Sequence, residues 1–94
     1  MIVVQQVSNG DPFEFDVAVS DSRSHTHHRV TMSRETYERL RAGTQTPEKC
    51  LEATFRFLLD RESKEEILDH FDVSVISRYF PQFERELPNY FLQS

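Results

Sequence analysis

Residues 46–61 read TPEKCLEATFRFLLDR and predict the central helix of the fold. Thr46 can cap the amino end of a helix, and Pro47 suits the first helical position, where its missing N–H would be unpaired in any case. At about 100° per residue, the mostly apolar side chains cover about 200° of the helix surface. They are Cys50, Leu51, Thr54, Phe55, Phe57, Leu58 and Leu59, and the opposite strip holds Lys49, Glu52, Ala53, Arg56 and Asp60. So wide an apolar arc indicates that a helix over residues 47–61 is buried by more than one neighbouring element.

Two shorter helices are predicted after it, which would complete a three-helix unit over residues 46–80. Ser63 and Glu66 have the spacing of a capping box, in which each side chain satisfies the backbone N–H of the other residue. Asp72 or Ser74 would begin the last helix of the unit. The side chains expected to face inward are Ile67, Leu68 and Phe71 in the second helix and Val75, Ile76, Tyr79 and Phe80 in the third.

Residues 13–32 have the pattern of a β-hairpin. Apolar and polar residues alternate from Phe13 to Ser20, which is typical of a strand with one wet face. Residues 21–24 would form the loop, and the chain would return as a second strand over residues 25–32. A register with Ser20 opposite His25 sets apolar against apolar and acidic against basic side chains. It predicts the pairs Val17–His28, Phe15–Val30, Phe13–Met32, Asp16–Arg29 and Glu14–Thr31.

A further strand and a further helix flank this hairpin. Ile2, Val3, Val4 and Val7 suggest a strand at the start of the chain. Ser33 would cap a short helix over residues 34–42, with Gly43 in the left-handed conformation that often ends a helix. Tyr37 and Leu40 would face inward from this helix.

The order of these elements predicts an α+β fold. Two or three N-terminal strands would form a small antiparallel sheet, and three to four C-terminal helices would cover one of its faces. With 94 residues, the chain is expected to form a single domain over residues 1–94. Its strands would occupy residues 1–32, and residues 33–94 would form the helical part with an aromatic tail.

That tail, residues 80–91, is aromatic but interrupted by two prolines. Two arrangements are open. The tail could wrap back over the core of its own chain, or it could dock on a second subunit. The second arrangement predicts an interface formed by Phe83, Leu87, Tyr90 and Phe91.

Composition points to a soluble cytoplasmic protein. The single cysteine cannot form an internal disulfide, which fits a reducing compartment. No apolar run reaches the length of about 18 residues that suggests a membrane span. Residues 1–7 lack the basic start and the apolar length of a signal peptide. We therefore expect no contact with a membrane.

Charge is distributed unevenly along the chain. Residues 23–41 carry five arginines against two glutamates, a local charge of +3, while six basic and fourteen acidic residues elsewhere give −8. The five are Arg23, Arg29, Arg34, Arg39 and Arg41. Such an asymmetry could steer an anionic partner or align copies of the chain head to tail. The alternative is an ordinary solvated surface.

The run His25-Thr26-His27-His28 is the most unusual in the chain. On a strand, His25 and His27 point to the same face, where two imidazoles could share a metal ion, while His28 turns inward. A catalytic zinc site would need a third ligand. His70 could supply one only if the fold brings it close. Without a metal ion, the two histidines would simply titrate near neutral pH.

Little else in the sequence predicts catalysis. Cys50 lies near the start of the central helix, where the helix dipole could lower the pKa of a thiol, but it also belongs to the apolar arc and would then pack as a small hydrophobe. With only two glycines, the chain has no phosphate-binding loop of either common type. We therefore expect neither enzymatic activity nor a cofactor.

Residues 63–80, SKEEILDHFDVSVISRYF, resemble a helix-turn-helix motif. In that interpretation Ser74, Ser77 and Arg78 would approach DNA. The spacing is about two residues shorter than usual, and Asp72 stands where glycine is common in the turn. Acidic residues also outnumber basic ones here, whereas DNA binding draws on phosphate neutralisation. The alternative is a plain hairpin of two packed helices.

Taken together, these observations predict a small non-catalytic protein that acts through contacts with an unidentified protein partner or with its own copies, as a homodimer. The alternative is a nucleic-acid-binding or regulatory protein. It would use a degenerate helix-turn-helix over residues 63–80, or the basic surface of residues 23–41 with Arg34 and Arg41.

Overall fold

The computed structural model describes residues 1–43 and 45–91 and shows an α+β fold. Its strands are β1 (Ile2–Ser8), β2 (Phe13–Ser20), β3 (His25–Met32) and β4 (His70–Asp72). Its helices are α1 (Arg34–Leu40), α2 (Pro47–Leu59), α3 (Ile76–Tyr79) and α4 (Phe83–Phe91), and a single 3-10 turn, Val73–Val75, leads into α3.

The four strands form one mixed sheet in the order β1-β2-β3-β4. The first three strands are antiparallel, as predicted, whereas β4 lies parallel to β3. The prediction of two or three antiparallel strands confined to residues 1–32 was therefore wrong in detail. Strand β4 lies far along the chain, and it joins the sheet because Phe71 aligns with the buried Val30 and Thr31 donates a hydrogen bond to the Asp72 carboxylate at 2.6 Å.

The predicted hairpin register is confirmed at every pair from Phe13–Met32 to Ser20–His25. On the wet face, Arg29 donates to the Asp16 carboxylate at 2.6 Å. On the other face, the apolar side chains of β2 and β3 are buried. Local alternation was sufficient to specify this pairing because a slip by one residue would exchange the two faces.

Helix α2 packs on the buried face of the sheet. The Thr46 hydroxyl accepts a hydrogen bond from the Lys49 N–H at 3.2 Å, so the predicted cap is confirmed. The helix ends at Leu59, two residues before the predicted end. Ala53, placed on the polar strip by the sequence pattern, is buried instead, because α4 packs against α2.

The second helix of the predicted three-helix unit does not form. The Glu66 carboxylate accepts from the Ser63 N–H and hydroxyl at 2.9 and 3.0 Å, but residues 63–66 make only a turn. The chain then enters the sheet, where the Asp69 carbonyl accepts from the Arg29 N–H at 2.8 Å. Since a strand and a four-residue helix replace the two expected helices, the helix-turn-helix interpretation of residues 63–80 was wrong as a structure.

The buried side of helix α3 also differs from the predicted one. Asp72 caps the preceding turn by accepting from the Ser74 N–H at 2.9 Å, and Ile76 faces the core as expected. Tyr79, however, is 69% exposed.

Helix α1 is capped by Ser33 as predicted, although it ends at Leu40 and the chain continues in an extended conformation at Arg41. The left-handed conformation predicted for Gly43 is confirmed by its φ of 68°. Leu40 is buried, and Tyr37 is half-buried with its hydroxyl donating to the Gln45 carbonyl at 2.6 Å.

The aromatic tail forms α4 and wraps back over the core of its own chain. Its four predicted interface residues retain exposed fractions of only 1–7%. They are Phe83, Leu87, Tyr90 and Phe91. These side chains are packed against α2 and have almost no surface left for a second subunit to bury. Across the described residues, no helix combines the length and apolar character needed to cross a membrane.

Candidate functional site

A recess of about 210 Å³ opens where the end of α2 meets the segment that the sequence pattern had placed in helices. Its walls come from α2, the loop before β4, the strand itself and the turn and helix that follow. The lining residues are Leu58, Glu62, Glu66, Ile67, Leu68, Phe71, Val75, Ile76, Tyr79 and Phe80.

The recess has a buried apolar floor and an exposed apolar lip. Leu58, Ile67 and Ile76 belong to the core and form part of the floor. Leu68 and Tyr79 are 51% and 69% exposed, which makes them two of the few large apolar side chains that this chain leaves in water. Their position around one concave site distinguishes them from singly scattered surface residues, which need no explanation.

Two carboxylates, those of Glu62 and Glu66, complete the lining. Partial burial raises the pKa of Glu62, and the nearby charge of Glu66 adds to this effect. Hydrogen bonds from Ser63 lower the pKa of Glu66. Within residues 1–43 and 45–91, no lysine or arginine forms an ion pair with either carboxylate, so the recess carries negative charge without a bound counterion from its own chain.

The recess is held in place by contacts to the hairpin. His28, buried on β3, donates from Nδ1 to the Leu68 carbonyl at 2.8 Å, which leaves Nε2 to accept from the Thr26 hydroxyl at 2.8 Å. Lys64 bonds Asp21 and Glu65 at 2.7 and 2.8 Å. The bonds of His28 and of Lys64 to Asp21 join the loop before β4 to the hairpin about forty residues earlier, and thereby hold the Leu68 side of the recess.

The two candidate metal ligands are exposed and adjacent. The rings of His25 and His27 meet edge to face, with centroids 5.2 Å apart. His70 aligns with Arg29 on the neighbouring strand. In the part of the chain that the structure describes, no three His, Cys, Asp or Glu side chains converge on a position that could hold a metal ion. Among these described residues, the predicted pair therefore has no third ligand.

Some arginines of the predicted basic surface pair with acidic side chains from other parts of the chain. Arg29 pairs with Asp16 at 2.6 Å, and Arg39 pairs with Glu84 at 3.0 Å. Each of these carboxylates raises the pKa of its arginine, chiefly through the hydrogen bond between them. Asp16 and Glu84 lie outside residues 23–41 in the sequence, so they offset part of the positive charge of that segment.

Arg34 and Arg41 are engaged by backbone and aromatic groups. Arg34 donates to the Asn9 carbonyl at 2.9 Å and lies over the Phe13 ring. Arg41 donates to the Gly43 carbonyl at 2.6 Å and is 3.5 Å from the Glu38 carboxylate. The other predicted DNA contacts lie in the 3-10 turn and in α3, outside any recognition helix. They are Ser74, Ser77 and Arg78.

Sequence patterns missed the recess. Leu68 and Tyr79 were predicted to face inward, and Lys64 lies in a charged run that is typical of a solvated surface. No local signal could have shown the positions of Leu68 and Lys64, because the Leu68 carbonyl bonds His28 and Lys64 bonds Asp21, each about forty residues earlier. Comparison with protein-family models, with curated proteins and with solved structures found no match.

Proposed function

We propose that this protein is a non-catalytic protein-binding module whose recess takes an apolar side chain from a different protein, flanked there by lysine or arginine. The observation that carries the proposal is the combination of an apolar floor, an exposed apolar lip and two carboxylates that form no ion pair with the described residues. The cytoplasmic location predicted from the single cysteine belongs to the same proposal.

The size of the recess favours a side chain over a cofactor. Sites for drug-sized molecules and cofactors usually have volumes of about 300–1,000 Å³. At about 210 Å³, the recess is smaller than that range. An inserted leucine or phenylalanine would contact the floor and become covered by Leu68 and Tyr79, whose apolar surface would leave water at the same time.

The charge of the recess favours a basic neighbour for that side chain. A lysine or arginine on either side of the inserted residue would approach Glu62 or Glu66, whose negative charges are close to each other. Pairs at such a partly exposed rim contribute only about 0–1 kcal/mol each, so their main effect is on partner choice and on the rate of association.

The buried thiol and the buried imidazole of this chain are poorly placed for catalysis. Burial raises the pKa of the Cys50 thiol to about 12, and the charge of Arg41 only partly offsets this. A thiol with that pKa is a poor nucleophile near neutral pH. His28 uses both ring nitrogens in hydrogen bonds to Thr26 and Leu68. These observations support binding over catalysis.

Fluorescence polarisation with three labelled hexapeptides tests the proposal. We expect binding of KKLFKK, which offers apolar and basic groups together, and at least about 10-fold weaker binding of EELFEE and KKSGKK. Tyr79→Ala and Glu62→Gln should each weaken the binding of KKLFKK several-fold. Glu48→Gln, which removes the same charge from an exposed position on α2, should leave it unchanged.

Two results would contradict the proposal. One is equal binding of KKLFKK and KKSGKK, because charge alone would then account for the contact. The other is binding of KKLFKK that is insensitive to Tyr79→Ala, because the peptide would then occupy a different surface. Circular dichroism of each variant would show whether its fold is retained.

A further inference from the structure

Strand β1 is an edge strand whose outer side is unpaired in the described chain. Met1 and Ser20 exchange two hydrogen bonds, at 2.6 and 2.9 Å, and the pairing then continues without interruption to Gln6–Phe15. Because bonded and non-bonded pairs alternate in an antiparallel ladder, Val3 and Gln5 also bond to β2. The N–H and C=O groups of Ile2, Val4 and Gln6 must therefore point away from the sheet.

This edge lacks the usual protection against another strand. Natural edge strands are commonly short or carry charged residues or proline. The opposite edge, β4, follows this rule with only three residues. Residues 1–10 instead contain no Asp, Glu, Lys, Arg, His or Pro. The irregularity in β1 lies between Gln6 and Ser8, so the segment before it remains regular.

We propose that β1 pairs in antiparallel fashion with β1 of a second copy of this chain, which joins two four-stranded sheets into one sheet of eight strands. A two-fold axis at Val4 would let Ile2 and Gln6 of each copy bond to Gln6 and Ile2 of the other. All the outward groups of the regular segment would then be used, in about six hydrogen bonds.

Charge favours the association of a second copy at this edge over association at the other surfaces of the molecule. Each chain carries a net charge of −5, so two copies repel each other where acidic side chains meet. The β1 edge presents none. Val3 and Val7, which are 52% and 43% exposed on the open face of the sheet, would lie at the new strand pair and lose part of that exposure.

Sedimentation equilibrium from micromolar to millimolar concentration tests the proposal. We expect a species of twice the chain mass of 11.1 kDa at both low and physiological salt. Gln5→Lys places a charge on the exposed face beside the edge and should weaken the dimer at least about 10-fold. Asn89→Lys adds the same charge on α4 and should not weaken it.

Amide hydrogen exchange gives a second measurement that requires no variant. The amides of Ile2, Val4 and Gln6 should exchange at least about 10-fold more slowly at high than at low protein concentration, because only the dimer bonds them. Those of Val3 and Gln5, already bonded to β2, should change much less. Tyr79→Ala should leave both results unchanged, which separates this proposal from that of the recess.

A monomer throughout the concentration range would overturn the proposal. So would a dimer that Gln5→Lys does not weaken, or one in which the amides of Ile2, Val4 and Gln6 exchange equally fast at all concentrations, because another surface would then hold the copies together.

Discussion

Lys64 shows how a single residue positions the candidate site. Lysine is rarely buried unless it is paired, yet Lys64 is only 8% exposed. Its ammonium group bonds the carboxylates of Asp21 and Glu65, and Ser24 contacts Glu65 as well. Asp21 also accepts from the N–H groups of Arg23 and Ser24 at 2.8 and 3.0 Å. The turn of the hairpin is thereby joined to the loop that forms one wall of the recess.

Stability should depend on pH through Asp21. The hydrogen bond from Lys64, followed by those from the backbone of Arg23 and Ser24, lowers the pKa of Asp21 from 3.8 to about 2. Since the folded-state pKa is the lower one, the contribution of Asp21 to stability is complete above about pH 4 and is lost as the pH falls to about 2. Asp21→Asn should therefore be less stable than wild type at neutral pH and lose less stability across this window.

Urea unfolding at about pH 7, 4 and 2 would measure this difference. The two unfolding midpoints should approach each other at the lowest pH. Ser22→Asn, a neighbouring exposed substitution that leaves the charge unchanged, should keep the wild-type profile. Parallel profiles for wild type and Asp21→Asn between pH 4 and 2 would show that Asp21 has no such role.

The docking of α4 on α2 depends on Arg61, which follows α2. Its guanidinium lies 3.7 Å from the centroid of the Phe57 ring and donates to the Phe57 carbonyl at 3.0 Å. It also donates to the Tyr90 hydroxyl at 3.1 Å and pairs with the Glu86 carboxylate. The Tyr90 hydroxyl donates in turn to Asp60 at 2.6 Å. One planar group thus lies over the Phe57 ring of α2 and bonds two side chains of α4.

Arg61→Lys should be destabilising despite keeping the charge. An ammonium group cannot cover the Phe57 ring and also reach both Tyr90 and Glu86 as the branched guanidinium does, so we expect the free energy of unfolding to fall by about 1–3 kcal/mol. Arg85→Lys, the same change at an exposed position of α4, should alter it by less than about 0.5 kcal/mol. Chemical denaturation measures both. Equal effects of the two substitutions would show that the geometry of Arg61 contributes nothing.

At the scale of the whole molecule, folding redistributes the charge that the sequence concentrates in residues 23–41. Three of the five arginines there lie within 4 Å of an acidic side chain. They are Arg29, Arg39 and Arg41. A polyanion would have to compete with these carboxylates while approaching a chain whose net charge is −5.

We therefore predict no measurable binding of duplex DNA at physiological salt. Fluorescence anisotropy with a labelled duplex at low and physiological salt would test this. If binding were found, Arg34→Ala and Arg78→Ala would show whether it uses the basic surface or α3. A binding constant that falls steeply with salt and is weakened by either substitution would contradict the prediction.

Local chemistry by itself determined the hairpin, its register, the caps of α1 and α2 and the buried arc of α2. Each depends on residues that are close in sequence. The alternation in Phe13–Ser20 specifies which face is wet, and Thr46 needs only the Lys49 N–H three residues later to begin a helix. Short-range periodicity and hydrogen bonding carry this information directly.

Only the tertiary structure decided the remaining features. Residues 63–72 have a pattern that a helix could satisfy, but pairing with β3 offers Phe71 a buried position and gives the Asp69 carbonyl a partner. Burial of the aromatic tail, the Arg39–Glu84 ion pair and the bonds of Lys64 to Asp21 and of His28 to Leu68 likewise arise from residues tens of positions apart. Such contacts exist only once the chain has closed its loops, so no local window of the sequence could have shown them.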